Sequence, residues 1–121
     1  MANKLKPKQY DLEERTFHFA VEVRSFVKNL KKTIANMEDG KQVIRSSGSV
    51  AANYIEANES LSKKDFIYRI KICRKEAKES RLFLSLADTN KNPELEMVRD
   101  KLIQEATELM KIFGSIIVKS E

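Results

Sequence analysis

Arg45, Ser49, Asn53 and Glu56 follow one another at four-, four- and three-residue steps. On a helix turning about 100° per residue they share, with Gln42, one arc of about 80°. A cation, a hydroxyl, an amide and a carboxylate on one line can either hold a polar ligand or satisfy one another and the adjoining helices. An unpaired buried polar group costs roughly 1 to 3 kcal/mol, so an inward-facing arc must be fully paired. The reading adopted is an internal network that fixes helix register, with Arg45, Ser46, Ser49, Asn53 and Glu56 as its members. The neighbouring Ser46, Ser47, Gly48, Ser49 run is no phosphate loop, because no Gly-x-x-x-x-Gly-Lys-Ser/Thr is present and no strand pattern precedes it.

A second constellation is cationic. Lys63, Lys64, Lys71, Arg74, Lys75, Lys78 and Arg81 fall within about 120° of one helical face, with Asp65, Glu76 and Glu79 beyond its edge. A solvated face ordinarily mixes signs, so a one-signed ridge calls for an acidic surface opposite: nucleic-acid phosphates, an acidic protein, or counterions. The arc carries no aromatic residue, which argues against base stacking and sequence-specific readout and leaves phosphate contact as the chemistry. Glu76 and Glu79 read as ion-pair partners.

Other chemistries lack their residues. One histidine, His18, cannot supply the two Glu-x-x-His units of a di-iron bundle. With the single Cys73 it gives no zinc spacing and no disulfide within the chain. No serine-nucleophile motif or Cys-His pairing occurs. The expectation is a protein without enzymatic activity, metal or cofactor, with Cys73 as a small buried apolar residue and His18 at the surface.

The elements that must position these residues are helical. Leu12, Phe19, Val23, Phe26 and Leu30, with Ala20, Val27 and Ile34 beside them, step by three and four. A break at Met37 to Gly40 precedes the second helix, and Ser62 with Asp65 forms a capping box for the third. Phe66, Ile70, Cys73, Ala77, Ser80, Leu84 and Ala87 make its core stripe. Asn92 as N-cap and Pro93 at the first position open the fourth, whose stripe is Leu95, Val98, Leu102, Ala106, Leu109, Phe113 and Ile116. The spacing predicts helices over about 11–35, 42–59, 62–88 and 93–119. Joins this short make an all-α, antiparallel up-down-up-down four-helix bundle in a single domain spanning 1–121. The 41% hydrophobic and 34% charged content is that of a globular chain, and the net charge of +5 suits an acidic partner such as RNA. "MANKLKPKQY" lacks the apolar run of a secretory leader and no stretch is long enough to span a bilayer. The expected location is cytoplasmic.

Tyr68, Ile72, Phe83 and Leu86 form a further apolar stripe on the third helix, away from its core stripe. A lone bundle would expose it, and the expectation is a subunit interface. "DLEERTFHFA", "RSSGSVAANYIEA", "SKKDFIYRIKICRKEAKESRLFL" and "EATELMKIFGSII" together resemble the four-helix bundle protein family first noticed as products of intervening sequences in 23S ribosomal RNA genes. The second of these is similar to the family pattern Arg-Ser-x-x-Ser-Val-x-Ala-Asn-x-x-Glu-Ala at Arg45, Ser46, Ser49, Val50, Ala52, Asn53, Glu56 and Ala57. The resemblance implies a four-helix protomer, commonly a ring of five, with no established enzymatic activity. A distant relative, the accessory protein of diversity-generating retroelements, binds nucleic acid and a reverse transcriptase. Two functions follow as expectations: a self-associating bundle that binds RNA or DNA non-specifically through the ridge, or a structural module whose ridge docks an acidic protein.

Overall fold

The computed structural model describes residues 11–121; the amino-terminal stretch read above for a leader lies outside them. Four helices follow in order: α1 (Leu12–Lys28), α2 (Ile34–Asn58), α3 (Lys63–Leu86) and α4 (Pro93–Ser120). Each begins at a side chain that accepts a backbone N–H of the first turn. Asp11 accepts from Glu14, Thr33 from Asn36, Ser62 from Asp65 and Asn92 from Leu95, satisfying donors that the helix geometry otherwise orphans. Pro93 sits in the first turn of α4, where its missing N–H costs nothing.

The first two helices divide differently from the expectation. Helix one does not run to residue 35: α1 stops at Lys28, the chain turns through Asn29 to Thr33, and α2 already starts at Ile34. Asn29 and Leu30 donate back to Phe26 and Val27 carbonyls, and Leu30 is drawn into the core. Ile34, expected beside the core, is 84% exposed. The expected break at Met37 to Gly40 lies inside α2. Gly40 is there for packing: a Cβ at its position would stand 2.8 Å from Val27 Cγ1, so its absence lets α2 lie close against α1.

Neighbours in sequence are neighbours in space. α2 packs most extensively on α3, then α3 on α4 and α1 on α2, while α1 and α4 touch least. Short joins therefore produce the antiparallel up-down-up-down bundle. The core runs along its axis through Phe19, Val23, Val50, Ile70, Cys73, Ala77, Leu84, Ala106, Leu109 and Phe113, each almost or wholly inaccessible. Each of the larger side chains stabilises the fold by about 1.5 to 3 kcal/mol. The α3 stripe is buried from Ile70 to Ala87, with Phe66 half-buried. On α4, Ile117 is buried in the place expected for Ile116, and Val98 is 40% exposed.

At one end of the bundle a buried amide joins two turns. Asn36 Nδ2 donates to the carbonyls of Lys31 at 3.0 Å and Asp88 at 2.9 Å, and its Oδ1 accepts the Asp88 N–H at 2.9 Å. Every strong polar site of this side chain is used, as burial requires.

Candidate nucleic-acid interface

α3 owes its orientation to its core stripe: Ile70, Cys73, Ala77, Ser80 and Leu84 face the bundle axis, and the remaining arcs are left to α2, to α4 and to solvent. Its acids and its bases go to different arcs. Glu76, only 7% exposed, and Glu79 both turn toward α2, where Arg45 Nη2 donates to them at 3.3 and 3.0 Å. A buried carboxylate needs such a partner, because removing one side of a buried pair strands the other charge. Lys63, Lys64, Lys71, Arg74, Lys75 and Lys78 are exposed, and Arg81 is half-buried. None of the seven forms an ion pair with another described residue. Two of the three acids at the ridge's edge are thus held by Arg45 of α2, and the third, Asp65, is exposed at the start of α3.

Two arginines of the ridge lean toward α4. Arg81 Nη1 donates to Thr107 Oγ1 at 3.3 Å. Arg74 Nη1 lies over Gly114, 3.9 Å from where a Cβ would stand. Beside Arg81 the α3–α4 surface dips into a hollow of about 540 Å³ lined by Lys75, Lys78, Glu79, Arg81, Leu82, Ser85 and Ile103.

The line of polar residues on α2 is a set of ties to α3. The Ser46 and Ser80 hydroxyls share a 2.7 Å hydrogen bond in the core. Asn53 Oδ1 accepts from Arg69 Nη1 at 2.9 Å, and its Nδ2 donates to the Ser49 carbonyl and hydroxyl oxygens, each at 3.0 Å. Arg45, Ser46, Ser49 and Asn53 are therefore paired with α3 or with their own helix. Glu56 is exposed and its carboxylate joins none of these bonds. Arg69 and Asn36 belong to the polar framework and no sequence periodicity marked them, since their partners are reached only once the helices have packed.

Of the second apolar stripe, Tyr68 is 60% and Leu86 54% exposed, and Ile72 is half-buried. Phe83 departs from the expectation of an exposed side chain. It packs against the core, sharing a crevice with Phe26, Val27 and Leu84, because the approach of α1 and α2 at Gly40 brings their side chains over it.

Where α1 meets α4, Arg15 forms a clamp. Its Nε and Nη2 donate to Glu105 Oε2 and Oε1 at 2.7 and 2.8 Å, and Nη2 also reaches Glu108 Oε1 at 2.8 Å. The Glu105 hydrogen bonds hold the guanidinium above its usual range. Hydrogen bonds from Gln104 and then Arg15 hold the Glu108 carboxyl below the ordinary carboxylate value. Alongside lies a groove of about 560 Å³ lined in part by Glu14, His18, Glu22 and Lys101. His18 is exposed, 3.9 Å from Glu14. Cys73 is buried, its Sγ 3.6 Å from the Val50 carbonyl, and desolvation pushes its thiol up to about 12, which suppresses the reactive thiolate. No group of three or more His, Cys, Asp or Glu side chains among the described residues could hold a metal ion. No described helix is long and apolar enough to cross a membrane.

Helix order, capping and the α2–α3 ties define a member of the antiparallel four-helix bundle proteins. Residues 8–115 match the model of the 23S rRNA-intervening sequence protein family, and the chain belongs to that family. It is also similar to a crystal structure of a protein with unknown function from the S23 ribosomal protein family of Bacteroides thetaiotaomicron VPI-5482. The two are 30% identical over 87% of this chain and 96% of that one, with a TM-score of 0.70. Among curated proteins none matches the chain.

Proposed function

We propose that this protein is a non-enzymatic, self-associating bundle of the cytoplasm that holds the phosphate backbone of RNA or DNA along α3 without strong sequence preference. The observation that carries the reading is the segregation of charge. Arg45 draws Glu76 and Glu79 toward α2, and the seven cations of the ridge are left with no ionic partner among the described residues. Like charges so close repel, and a polyanion that neutralises them gains counterion release as well as Coulomb attraction. The membership of the Bacteroides relative in a ribosomal protein family agrees with an RNA partner. Self-association is supported by the exposed Tyr68 and Leu86 beside half-buried Ile72, and a ring of five is the assembly implied by the family resemblance.

The test is the salt dependence of binding. A mixed-sequence RNA or DNA should bind at about 50 mM salt, with log K falling linearly in log salt. Changing Lys71, Arg74 and Lys78 to Ala should flatten that slope by about 2 to 3. Absence of binding at about 50 mM salt sinks the nucleic-acid reading. Light scattering tests the second half: Ile72→Glu should reduce the native mass, and an unchanged mass removes this surface as the interface.

A further inference from the structure

The hollow beside Arg81 differs from the rest of the ridge because it sets two aliphatic side chains among the cations. Lys75, Lys78 and Arg81 stand around it, while Leu82 and Ile103 supply its apolar lining. Leu82 is 53% exposed, an aliphatic side chain set among the lysines and arginines of the ridge. At about 540 Å³ the hollow lies within the roughly 300 to 1,000 Å³ of small-molecule sites. Its polar groups are preset. One N–H of Arg81 is fixed by Thr107, leaving the rest of the guanidinium fork free. Ser85 spends its proton on the Arg81 carbonyl at 2.8 Å, so its oxygen is left as an acceptor. The single anion at the rim, Glu79, is already held by Arg45.

Phosphates alone need no such lining; a flat row of cations would serve. A ligand matched to this hollow carries negative charge and a flat apolar body within a few ångströms of each other. An unpaired nucleotide has that chemistry. Its base face can lie against Leu82 and Ile103 while the flanking phosphates meet Lys75, Lys78 and Arg81, and an exocyclic amine can donate to Ser85. In a duplex the bases are stacked inward, and only the phosphates remain to be bound. Resting on the nucleic-acid reading above, we infer that the hollow seats one unpaired base, so that the α3 ridge favours single strands over duplexes. The aliphatic walls offer the base no hydrogen bond to read, so only the Ser85 oxygen distinguishes bases that carry an exocyclic amine from those that do not.

The experiment compares a single-stranded DNA of mixed sequence with its duplex of equal length, by fluorescence anisotropy at about 50 mM salt. The full chain is used beside Leu82→Ser and Ile103→Ser, neither of which alters charge. The full chain should bind the single strand more tightly. Each variant should lose at least about fourfold of single-strand affinity, the worth of one buried methylene, with its salt slope unchanged and its duplex affinity unmoved. Leu82 is exposed enough for Leu82→Ser to fold in any case, and that variant decides the question if Ile103→Ser loses stability. Duplex binding equal to or tighter than single-strand binding in the full chain overturns the inference, as does an equal loss for both forms in Leu82→Ser. In either outcome the ridge still binds phosphate, so the broader reading survives. Binding of neither form removes both. An acidic amphipathic peptide that binds where neither DNA does makes the hollow a protein-docking site and also overturns the inference.

Discussion

Replacing Asn36 with Ala removes the one side chain among the described residues that ties the α1–α2 turn to the α3–α4 turn. Three hydrogen bonds disappear: two donated by Nδ2 to Lys31 and Asp88 carbonyls, and one accepted from the Asp88 N–H. At about 1 kcal/mol net apiece the loss is about 3 kcal/mol. Ala is the better helix former by about 0.6 kcal/mol, and the Thr33 cap uses the residue 36 backbone N–H, which the substitution keeps. The balance is a loss of about 2 to 2.5 kcal/mol. In urea, with a slope of about 2 kcal/mol/M, the midpoint should fall by about 1 M with the slope unchanged. Asn36→Asp should lose at least as much near neutral pH, since it keeps the acceptor but faces a carboxylate toward two carbonyls. Asn58→Ala is the control: its amide donates to Glu13 at the surface, and its loss should stay within about 0.5 kcal/mol. A midpoint for Asn36→Ala within about 0.2 M of the unchanged protein would refute the bonding argument.

Two glycines of α2 should respond with opposite signs in the same urea assay. Gly48→Ala meets only the flexible end of Arg24, 3.2 Å from Nη2, and should gain up to about 1 kcal/mol of helix propensity. Gly40→Ala forces its Cβ onto Val27 Cγ1 on a stiff β-branched side chain, and should lose about 1 kcal/mol after the same gain is subtracted. Acid should weaken the α1–α4 seam. Because the folded Glu108 carboxyl lies below its unfolded value of about 4.3, its contribution is present above that pH and is lost as pH falls through the folded value. In thermal melts Glu108→Gln should therefore melt below the unchanged protein at pH 7, and the gap should narrow as the pH is lowered below the ordinary carboxylate range. A gap that persists at low pH would refute this.

The periodicity of apolar residues located α3 and α4 nearly to their ends, because both begin at strong caps and carry uninterrupted core stripes. It misplaced the first turn. "NLKKT" carries neither Gly nor Pro, and Leu30 continues the apolar rhythm even though it folds back into the core from outside the helix. Gly40 resembled a break, yet its role is steric and depends on Val27 of another helix, which only the packed structure brings near. The polar line on α2 was visible as a pattern, but its partners Glu76, Glu79, Ser80 and Arg69 were not, since tertiary pairing leaves no local signature. The cations of α3 were legible one by one. Their segregation from Glu76 and Glu79 was legible too; what the sequence left out was the partner of those glutamates, Arg45 on another helix.

The Arg15 clamp has a dynamic consequence. α2 and α3 are joined by a buried hydroxyl pair, a guanidinium shared between two carboxylates and an arginine–amide bond; α1 and α4, the least extensively packed pair, are bridged by Arg15. Local opening takes the path of lowest free energy, well below the global value. On that ground α1 is expected to exchange its amide hydrogens before the α2–α3 pair does, although opening it must also free Phe19, Val23 and Phe26 from the core. The α2–α3 hairpin is expected to exchange more slowly, so the cationic ridge is carried by the most extensively tied part of the molecule.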